Sequence, residues 1–427
     1  MSKRKMLKIR YRFPNFNFDW KKKYFNDIFD FHQTNTFSRS QMNDKRGFTR
    51  NIHYGDILTK YGNVLSDFQA VPYINQEISL LKFKEESYLQ NGDIIIADTA
   101  EDLTVGKSME VQNVDEKILS GLHTILCRPK FRFAPEFLGY YLNTSSYRSS
   151  FIPLVVGVKV CSISKTNISK TLVMYPDDID EQQKIADCLS SVDKLISAEE
   201  KKLSFLKDYK KGWMQRLFPK EGKTVPELRF PEFRDCGEWE KLKIKRICYP
   251  PYSGGTPVTS KKEYYNGTIP FIRSGEIGRL KTELFLTSKG LDNSSAKMIE
   301  KGDVLMALYG ANSGDVAISP IRGAINQAIL CLRHKNNNAF LYHYLAFKKN
   351  WIVRTYIQGG QGNLSGEIVK SIELCSPQEP KEQQKIANFL SGIDELIIRQ
   401  IDKIEALKQH KQALMQGLFP AVEEVLK

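Results

Sequence analysis

No stretch of this 427-residue chain approaches the ~20 consecutive apolar residues that a membrane-spanning helix requires. A membrane-embedded role is therefore not expected. Cysteine is sparse: seven residues, at positions 127, 161, 188, 236, 248, 331 and 375, with no C-x-x-C pair. An odd, scattered set predicts neither a disulfide framework nor a zinc site, and reduced thiols in a cytoplasm are expected. The first residues, MSKRKMLKIRYRFPNF, are basic without an apolar run, so no secretory signal is expected. The six histidines show no metal-ligand spacing, and no phosphate-binding G-x-x-x-x-G-K-[ST] occurs. Glu199-Glu200-Lys201 imitates a nuclease Glu-x-Lys, but it lies inside a heptad helix with no carboxylate in a strand context. The sequence assembles no active site and no metal site. That absence favours a binding protein.

A segment written twice is what the chain does have. Residues 181–219 (EQQKIADCLSSVDKLISAEEKKLSFLKDYKKGWMQRLFP) and 382–420 (EQQKIANFLSGIDELIIRQIDKIEALKQHKQALMQGLFP) align without a gap at an offset of 201, with 20 of 39 positions identical. That period is too long for a solenoid, whose units run to ~20–50 residues. It points to one domain plus one long helix, duplicated. In each copy apolar residues recur at a/d heptad spacing: Ile185, Leu189, Val192, Ile196, Leu203, Leu206, Trp213 and Leu217, then Ile386, Leu390, Ile393, Ile397, Ile404, Leu407, Leu414 and Leu418. Polar residues interrupt both seams at the same places, Glu199/Gln400 and Lys210/Lys411. Asp180 is the expected cap of the first helix, with Gln183 in the reciprocal capping-box position. Pro380 fits the first turn of the second, and Leu-Phe-Pro closes each, since proline cannot continue the ladder. Each helix would be about 55 Å long at ~1.5 Å per residue. If a two-fold axis crosses them, they pack antiparallel.

The segments before each helix are related more weakly. RFPNF at 12–16 with Trp20 echoes RFPEF at 229–233 with Trp239. Asn91-Gly92-Asp93 leads into Ile-Ile-Ile-Ala as Lys301-Gly302-Asp303 leads into Val-Leu-Met-Ala, and Ile-Leu-Cys occurs at 125–127 and 329–331. Leu138-Gly-Tyr-Tyr-Leu142 echoes Leu341-Tyr-His-Tyr-Leu345. Short β-branched strands between turn residues predict an α+β domain in each half. Between these islands the halves diverge, glycine-rich and polar in the second, less so in the first. One scaffold with two loop sets suits two binding surfaces of different specificity. The formal charge of +14 suits a polyanion, above all nucleic acid.

Tyr249-Pro250-Pro251-Tyr252 resembles the Pro-Pro-aromatic motif of amino methyltransferases. Tyr249 stands where those enzymes carry a carbonyl or hydroxyl acceptor, and no glycine-rich cofactor turn accompanies it, so the segment is expected to be a rigid turn. A self-sufficient DNA adenine methyltransferase and a coiled-coil scaffold are the competing readings.

The duplicated Glu-Gln-Gln-Lys-Ile-Ala helix, each copy preceded by a strand ending in proline (Tyr175-Pro176, Ser376-Pro377), resembles the specificity subunit of type I restriction–modification enzymes. So do the Arg-Phe-Pro-x-Phe…Trp leaders and the Gly-Asp strands. The resemblance implies an α+β fold with a pseudo-two-fold internal repeat: target-recognition domains at 1–180 and 220–380, separated by long antiparallel coiled-coil helices at 181–219 and 381–420, with a tail at 421–427. It implies a non-catalytic subunit that reads a bipartite, asymmetric site on double-stranded DNA. Two methyltransferase subunits would dock on the helices, with or without two restriction (translocase/nuclease) subunits. No cofactor is expected on this chain; S-adenosylmethionine, ATP and Mg would sit on the partners. The residues carried over for DNA contact are Thr59, Lys60, Tyr61, Asp98, Thr99, Lys159 and Ser162 in the first half. In the second they are Ser253, Gly254, Gly255, Thr256, Arg273, Ser274, Tyr309, Asn312, Ser313, Gln358, Gln361 and Asn363. For the coiled coil and partner docking they are Ile185, Leu189, Ile196, Leu203, Leu206, Trp213, Ile386, Leu390, Ile397, Ile404, Leu407 and Leu414.

Overall fold

The computed structural model describes residues 9–361 and 363–420, with the side chains of 358–361 outside that description. The chain forms two compact units: residues 1–199 together with 403–427, and residues 200–402. Both boundaries fall inside the long helices, Ile179–Leu217 and Pro380–Leu418. Each unit thus holds the beginning of one helix and the end of the other. Among the described residues no helix is long and apolar enough to cross a membrane.

In the first unit a five-stranded sheet runs Phe29–His32, Thr124–Pro129, Ile94–Ala97, Ser108–Val111, Val64–Leu65. A second sheet of four short strands runs Ile118–Ser120, Arg50–Ile52, Tyr73–Ile74, Met42–Asn43, its strands interleaved in sequence with those of the first. In the second unit, Tyr252–Ser253, Ile329–Leu332, Val304–Ala307 and Val316–Ile318 form one sheet. Leu284–Leu286, Tyr265–Ile272, Gly323–Ile325 and Lys297–Ile299 form the other. Ile94–Ala97 and Val304–Ala307 are apolar at every position because both faces are covered.

The Gly-Asp words have a physical basis. Gly92 and Gly302 take positive φ (87° and 94°), where a side chain is strained. The aspartates that follow close the turn, accepting from the backbone N–H of Gln90 and Glu300 at 2.8 Å. Each then takes two hydrogen bonds from the arginine at the end of the neighbouring strand, Arg128 on Asp93 and Arg333 on Asp303, all at 2.7–2.8 Å. These pairs also set the register, and they correct the Ile-Leu-Cys alignment. Cys127 stands opposite Ile94, whereas Leu332 stands opposite Val304 and Cys331 opposite Leu305. Cys127 therefore corresponds to Leu332, and the repeated word is one residue out of step. A one-residue slip changes the face: Cys127 and Leu332 enter the core beneath the long helices, while Cys331 enters the other.

The long helices begin differently from expectation. Asp178, not Asp180, caps the first, its carboxylate accepting the N–H groups of Asp180 and Glu181 at 2.8 and 3.4 Å. Gln183 reaches forward to Asp187 at 2.8 Å, so no capping box forms there. Pro380 opens the second helix, as its fixed φ predicts.

The Glu-Gln pair of each repeat is a lock. Arg12 donates to both oxygens of Glu181 at 2.9 and 3.0 Å, and the indole N–H of Trp20 reaches the same carboxylate at 3.4 Å. Arg229, Glu382 and Trp239 repeat this at 2.8, 2.6 and 3.3 Å. Gln182 and Gln383 donate to the carbonyls of Pro176 and Pro377 at 2.8 and 3.1 Å, tying the strand end to the first helical turn. The Leu-Phe-Pro ends close the opposite side. In the first unit Leu418 and Phe419 pack into the core, with Phe419 against Trp20, Phe137 and Tyr141. In the second, Phe218 stacks on Tyr344 at 4.6 Å and Phe347 at 5.6 Å.

Within each unit the two helix segments run antiparallel. Asp193 meets Lys411 and Glu199 meets Lys403 in the first; Lys210 meets Asp394 and Trp213 meets Phe389 in the second. The polar seam breaks at 210 and 411 are lysines paired across the seam at 2.6 Å with aspartates 201 positions apart. Each lysine also lies over an aromatic ring, Lys210 over Tyr342 and Lys411 over Tyr140. Seam residues Ile185, Leu189, Ile196, Ile386, Leu390 and Ile404 are buried, and Leu203, Leu206, Trp213, Ile397, Leu407 and Leu414 half-buried.

Candidate nucleic-acid interface

Two backbone hydrogen bonds build the same loop platform at one end of the sheet in each unit. In the first, Asp98 N–H donates to His123 C=O at 3.1 Å and Ile163 N–H to Asp98 C=O at 2.9 Å. In the second, Leu308 N–H donates to Ala328 C=O at 2.8 Å and Leu364 N–H to Leu308 C=O at 3.1 Å. These bonds bring the loop after one central strand together with the loop before its antiparallel partner and the loop leading to the last short helix. Asp98 thus corresponds to Leu308, Thr99 to Tyr309, His123 to Ala328 and Ser162 to Asn363.

On the first platform the Thr99 hydroxyl donates to Asp98 at 2.8 Å and lies 3.3 Å from His123 Nδ1, which is 3.4 Å from the Asp98 carboxylate. His123 holds φ = 54°, a left-handed conformation rare outside glycine. The ring of Tyr54 meets it edge-on at 5.3 Å, and His53 packs on Tyr54 at 4.6 Å. His53 caps the helix Tyr54–Thr59, its Nδ1 accepting from Gly55 N–H at 3.2 Å. Burial, aided by Arg39, lowers its pKa, so the ring is neutral at physiological pH and Nε2 carries the proton. A carboxylate, a hydroxyl, two imidazoles and a phenol are thereby gathered in one patch, the donor and acceptor types that read base edges.

The other first-half candidates separate. Thr59 donates back to Gly55 C=O at 2.7 Å, and Lys60 is held by the buried Asp56 at 3.0 Å. Tyr61 is buried in the core beside Ile57, Leu65 and Ile95, so it supports its loop from within. Lys159 and Ser162 are exposed on a hairpin packed beside Thr99–Ala100.

On the second platform, Tyr309 is exposed and Asn312 borders the Ser274-Gly275 turn, a Cβ at Gly275 lying 3.4 Å from its amide. Ser313 turns inward, its hydroxyl donating to Leu308 C=O at 2.8 Å. Thr256 donates to the Gln327 side chain at 2.8 Å, and Asn363 is exposed. Gly254 and Gly255 have a packing role. A Cβ on Gly254 would come within 1.8 Å of Ile325 O, and one on Gly255 within 2.6 Å of the Ser295 side chain. Ser253 is a half-buried strand residue. Arg273 is held by Glu276 at 3.1 Å and by Glu283, bonds that push its pKa up and occupy the guanidinium. The side chains of Gln358 and Gln361 lie outside the described residues; their backbone continues the π-helical stretch Arg354–Gln361.

Sequence reading missed His53, Tyr54, His123 and Gln327. The residues just beyond Ile94–Ala97 and just before Thr124–Pro129 come side by side through an antiparallel pairing of strands distant in sequence, which no local pattern marks. The Pro-Pro segment leads into Tyr252, whose hydroxyl donates to Met298 C=O at 2.8 Å, a brace between strands. Among the described residues, no group of three or more His, Cys, Asp or Glu side chains is placed to hold a metal ion.

The sequence model of the type I restriction modification DNA specificity domain matches twice, at residues 17–208 and 237–409. The type I restriction enzyme MjaX specificity subunit of Methanocaldococcus jannaschii is 27% identical over 341 residues, 77% of each chain. The MjaIX specificity subunit of the same organism is 31% identical over 192 residues, 43% of this chain and 44% of that one. In fold, the chain is similar to the S subunit of a type I restriction–modification system from M. genitalium, with a TM-score of 0.59 at 14% identity, covering 97% of this chain and 99% of that one. A chain solved in work on complex assembly and conformational transition of the type I R-M system gives 0.57 at 15% identity, covering 94% and 98%. With the specificity domain matched in both halves, this chain belongs to the type I restriction–modification DNA specificity family, and its work is recognition of DNA sequence, not catalysis.

Proposed function

We propose that the chain reads a bipartite, asymmetric site on double-stranded DNA, one half-site per unit, and carries two methyltransferase subunits on its paired helices. Restriction subunits would join the same assembly where they are present. S-adenosylmethionine, ATP and Mg would belong to those partners, and the assembly would act in the cytoplasm. The observation that carries this reading is the pair of platforms with one backbone frame and different side chains, Asp98-Thr99-His123 against Leu308-Tyr309-Ala328. Identical frames suit one kind of target, and different surfaces suit different base sequences. The helix length is proposed to fix the unread gap. The buried seam is taken up by the helices themselves, so the outer faces would receive partners. Exposed apolar residues there are Leu195 on the first unit and Phe205, Tyr209, Leu396, Ile398 and Ile401 on the second. Methylome sequencing of a strain lacking this gene tests the proposal. A bipartite N6-methyladenine motif should vanish, and its persistence would refute the reading.

A further inference from the structure

The hairpin beside the first platform is apolar where water should find it polar. Val156, Val158 and Val160 are 66%, 97% and 57% exposed, alternate along the chain, and flank the exposed Lys159. Their exposure is built in. Val156 and Ser162 exchange backbone hydrogen bonds at 2.9 and 2.8 Å, and Cys161-Ser162 pairs with Thr99-Ala100. Gly157 turns the chain at φ = 117°, where a Cβ would lie 1.9 Å from Val160 O, so the tip is tightly closed. The base of the hairpin is tied to Asp98 through Ile163, which puts the valines next to the hydrogen-bonding patch of Thr99 and His123. At the same distance before the repeated strand end, the second half has Ile357, Gly359 and Gln361 in place of the three valines.

We propose that the Val156–Val160 tip reads thymine, its valine methyls meeting the 5-methyl groups of thymines in the half-site bound by the first unit. This rests on the DNA-reading role proposed above. In the major groove the 5-methyl is the one apolar mark on a base edge, and apolar side chains are what recognise it. Polar groups alongside read the remaining edges, and Lys159 is placed for a phosphate. A valine surface on a stapled turn is pre-organised, so it costs little ordering on contact. Covering one methyl group is worth about fourfold in affinity.

The test uses the full chain assembled with its methyltransferase partners, on duplexes carrying the motif found by methylome sequencing. Each thymine of both half-sites is replaced in turn by deoxyuridine, which lacks only the methyl, and equilibrium binding is measured. In one half-site, at least one replacement should weaken binding about fourfold. Val158→Ser should weaken binding of the thymine duplex to the same degree and abolish the response to that replacement, with responses in the other half-site unchanged. Lys159→Ala should weaken binding whether or not the methyl is present. The proposal is overturned if the motif has no thymine in one half-site that responds, if Val158→Ser keeps the full deoxyuridine response, or if its only defect is loss of methyltransferase subunits. Absence of any sequence-specific binding by the unaltered assembly would instead sink the DNA-reading role itself.

Discussion

Arg229 holds Glu382 by two hydrogen bonds, at 2.8 and 2.6 Å, across 153 residues of sequence, with both side chains almost wholly buried. The carboxylate bond raises the arginine's pKa and keeps it charged. A buried charge left without its partner is worth more in lost stability than the pair contributes when intact. Arg229→Ala should therefore destabilise the second unit by about 3–5 kcal/mol, with Trp239 losing its carboxylate acceptor only if Glu382 moves. Glu382→Gln should destabilise as well, since it leaves the buried Arg229 guanidinium without a counter-charge and sets an amide NH2 against one of its donors. Urea unfolding followed by tryptophan fluorescence orders the variants; equal stability of Arg229→Ala and the unaltered protein would contradict the lock.

His343 and His334 give the second unit an acid sensitivity. Burial lowers their pKa values to about 3 and about 4, so both are neutral in the folded protein. The unfolded chain takes up their protons near the ordinary value of about 6.5. Stability from the neutral rings is full above that value and is lost as pH falls toward 3–4, by about 1.4 kcal/mol per histidine for each pH unit. His343 stands where the first unit has Tyr140, whose hydroxyl donates to Asp193 at 2.8 Å. His343 Nδ1 lies 3.8 Å from Asp394, the counterpart of Asp193. His343→Tyr should thus be tolerated at pH 7.5 and should flatten the loss of stability between pH 6.5 and 4.5. An unchanged pH slope would show that His343 is not its source.

The helices were legible because a gapless repeat and a heptad survive any tertiary context. The leaders were visible only as repeated words. That Arg12 and Arg229 bind the glutamates of the helix repeat depends on a long-range closure that no local pattern carries. The Gly-Asp turns were correctly singled out, yet Ile-Leu-Cys misled by one residue, because apolar strands buried on both faces show no alternation to fix their phase. Tyr61 looked like a loop residue and is core, while His123 was invisible because its neighbours come from a strand pairing 24 residues back.

The proposed reading of one half-site per unit requires the two platforms to act independently. His123→Ala removes a side chain shared by Asp98, Thr99 and Tyr54, and Tyr309→Ala strips the exposed ring from the other platform. Each should relax one half of the methylated motif and leave the other half intact. A well-formed side-chain pairing with a base edge supplies about 1–3 kcal/mol of discrimination, which sets the size of the relaxation. Methylomes of strains carrying each variant provide the measurement. If one substitution degraded both halves together, it would be acting on folding or assembly and not on reading.

The chain's last helix segment should matter most to its first domain. Residues 403–420 lie in the first unit, where Leu418 and Phe419 join the aromatic core around Trp20, Phe137 and Tyr141. Gly417 C=O accepts from Tyr11 N–H at 2.8 Å, Lys411 pairs with Asp193, and Lys403 pairs with Glu199. The second unit takes its own closing segment, with Leu217 and Phe218, from the first long helix and so owes nothing of its core to these residues. Truncation after Asp402 should accordingly expose the first unit's core and leave the second folded. Removing a buried phenylalanine side chain alone costs about 3–5 kcal/mol, so Phe419→Ala should reproduce much of the effect without removing the helix. Hydrogen exchange resolves the two units: protection should collapse in 94–97 and 124–129 and persist in 304–307 and 329–332. Retained protection in the first pair of strands would show that the N-terminal unit folds without the C-terminal helix segment.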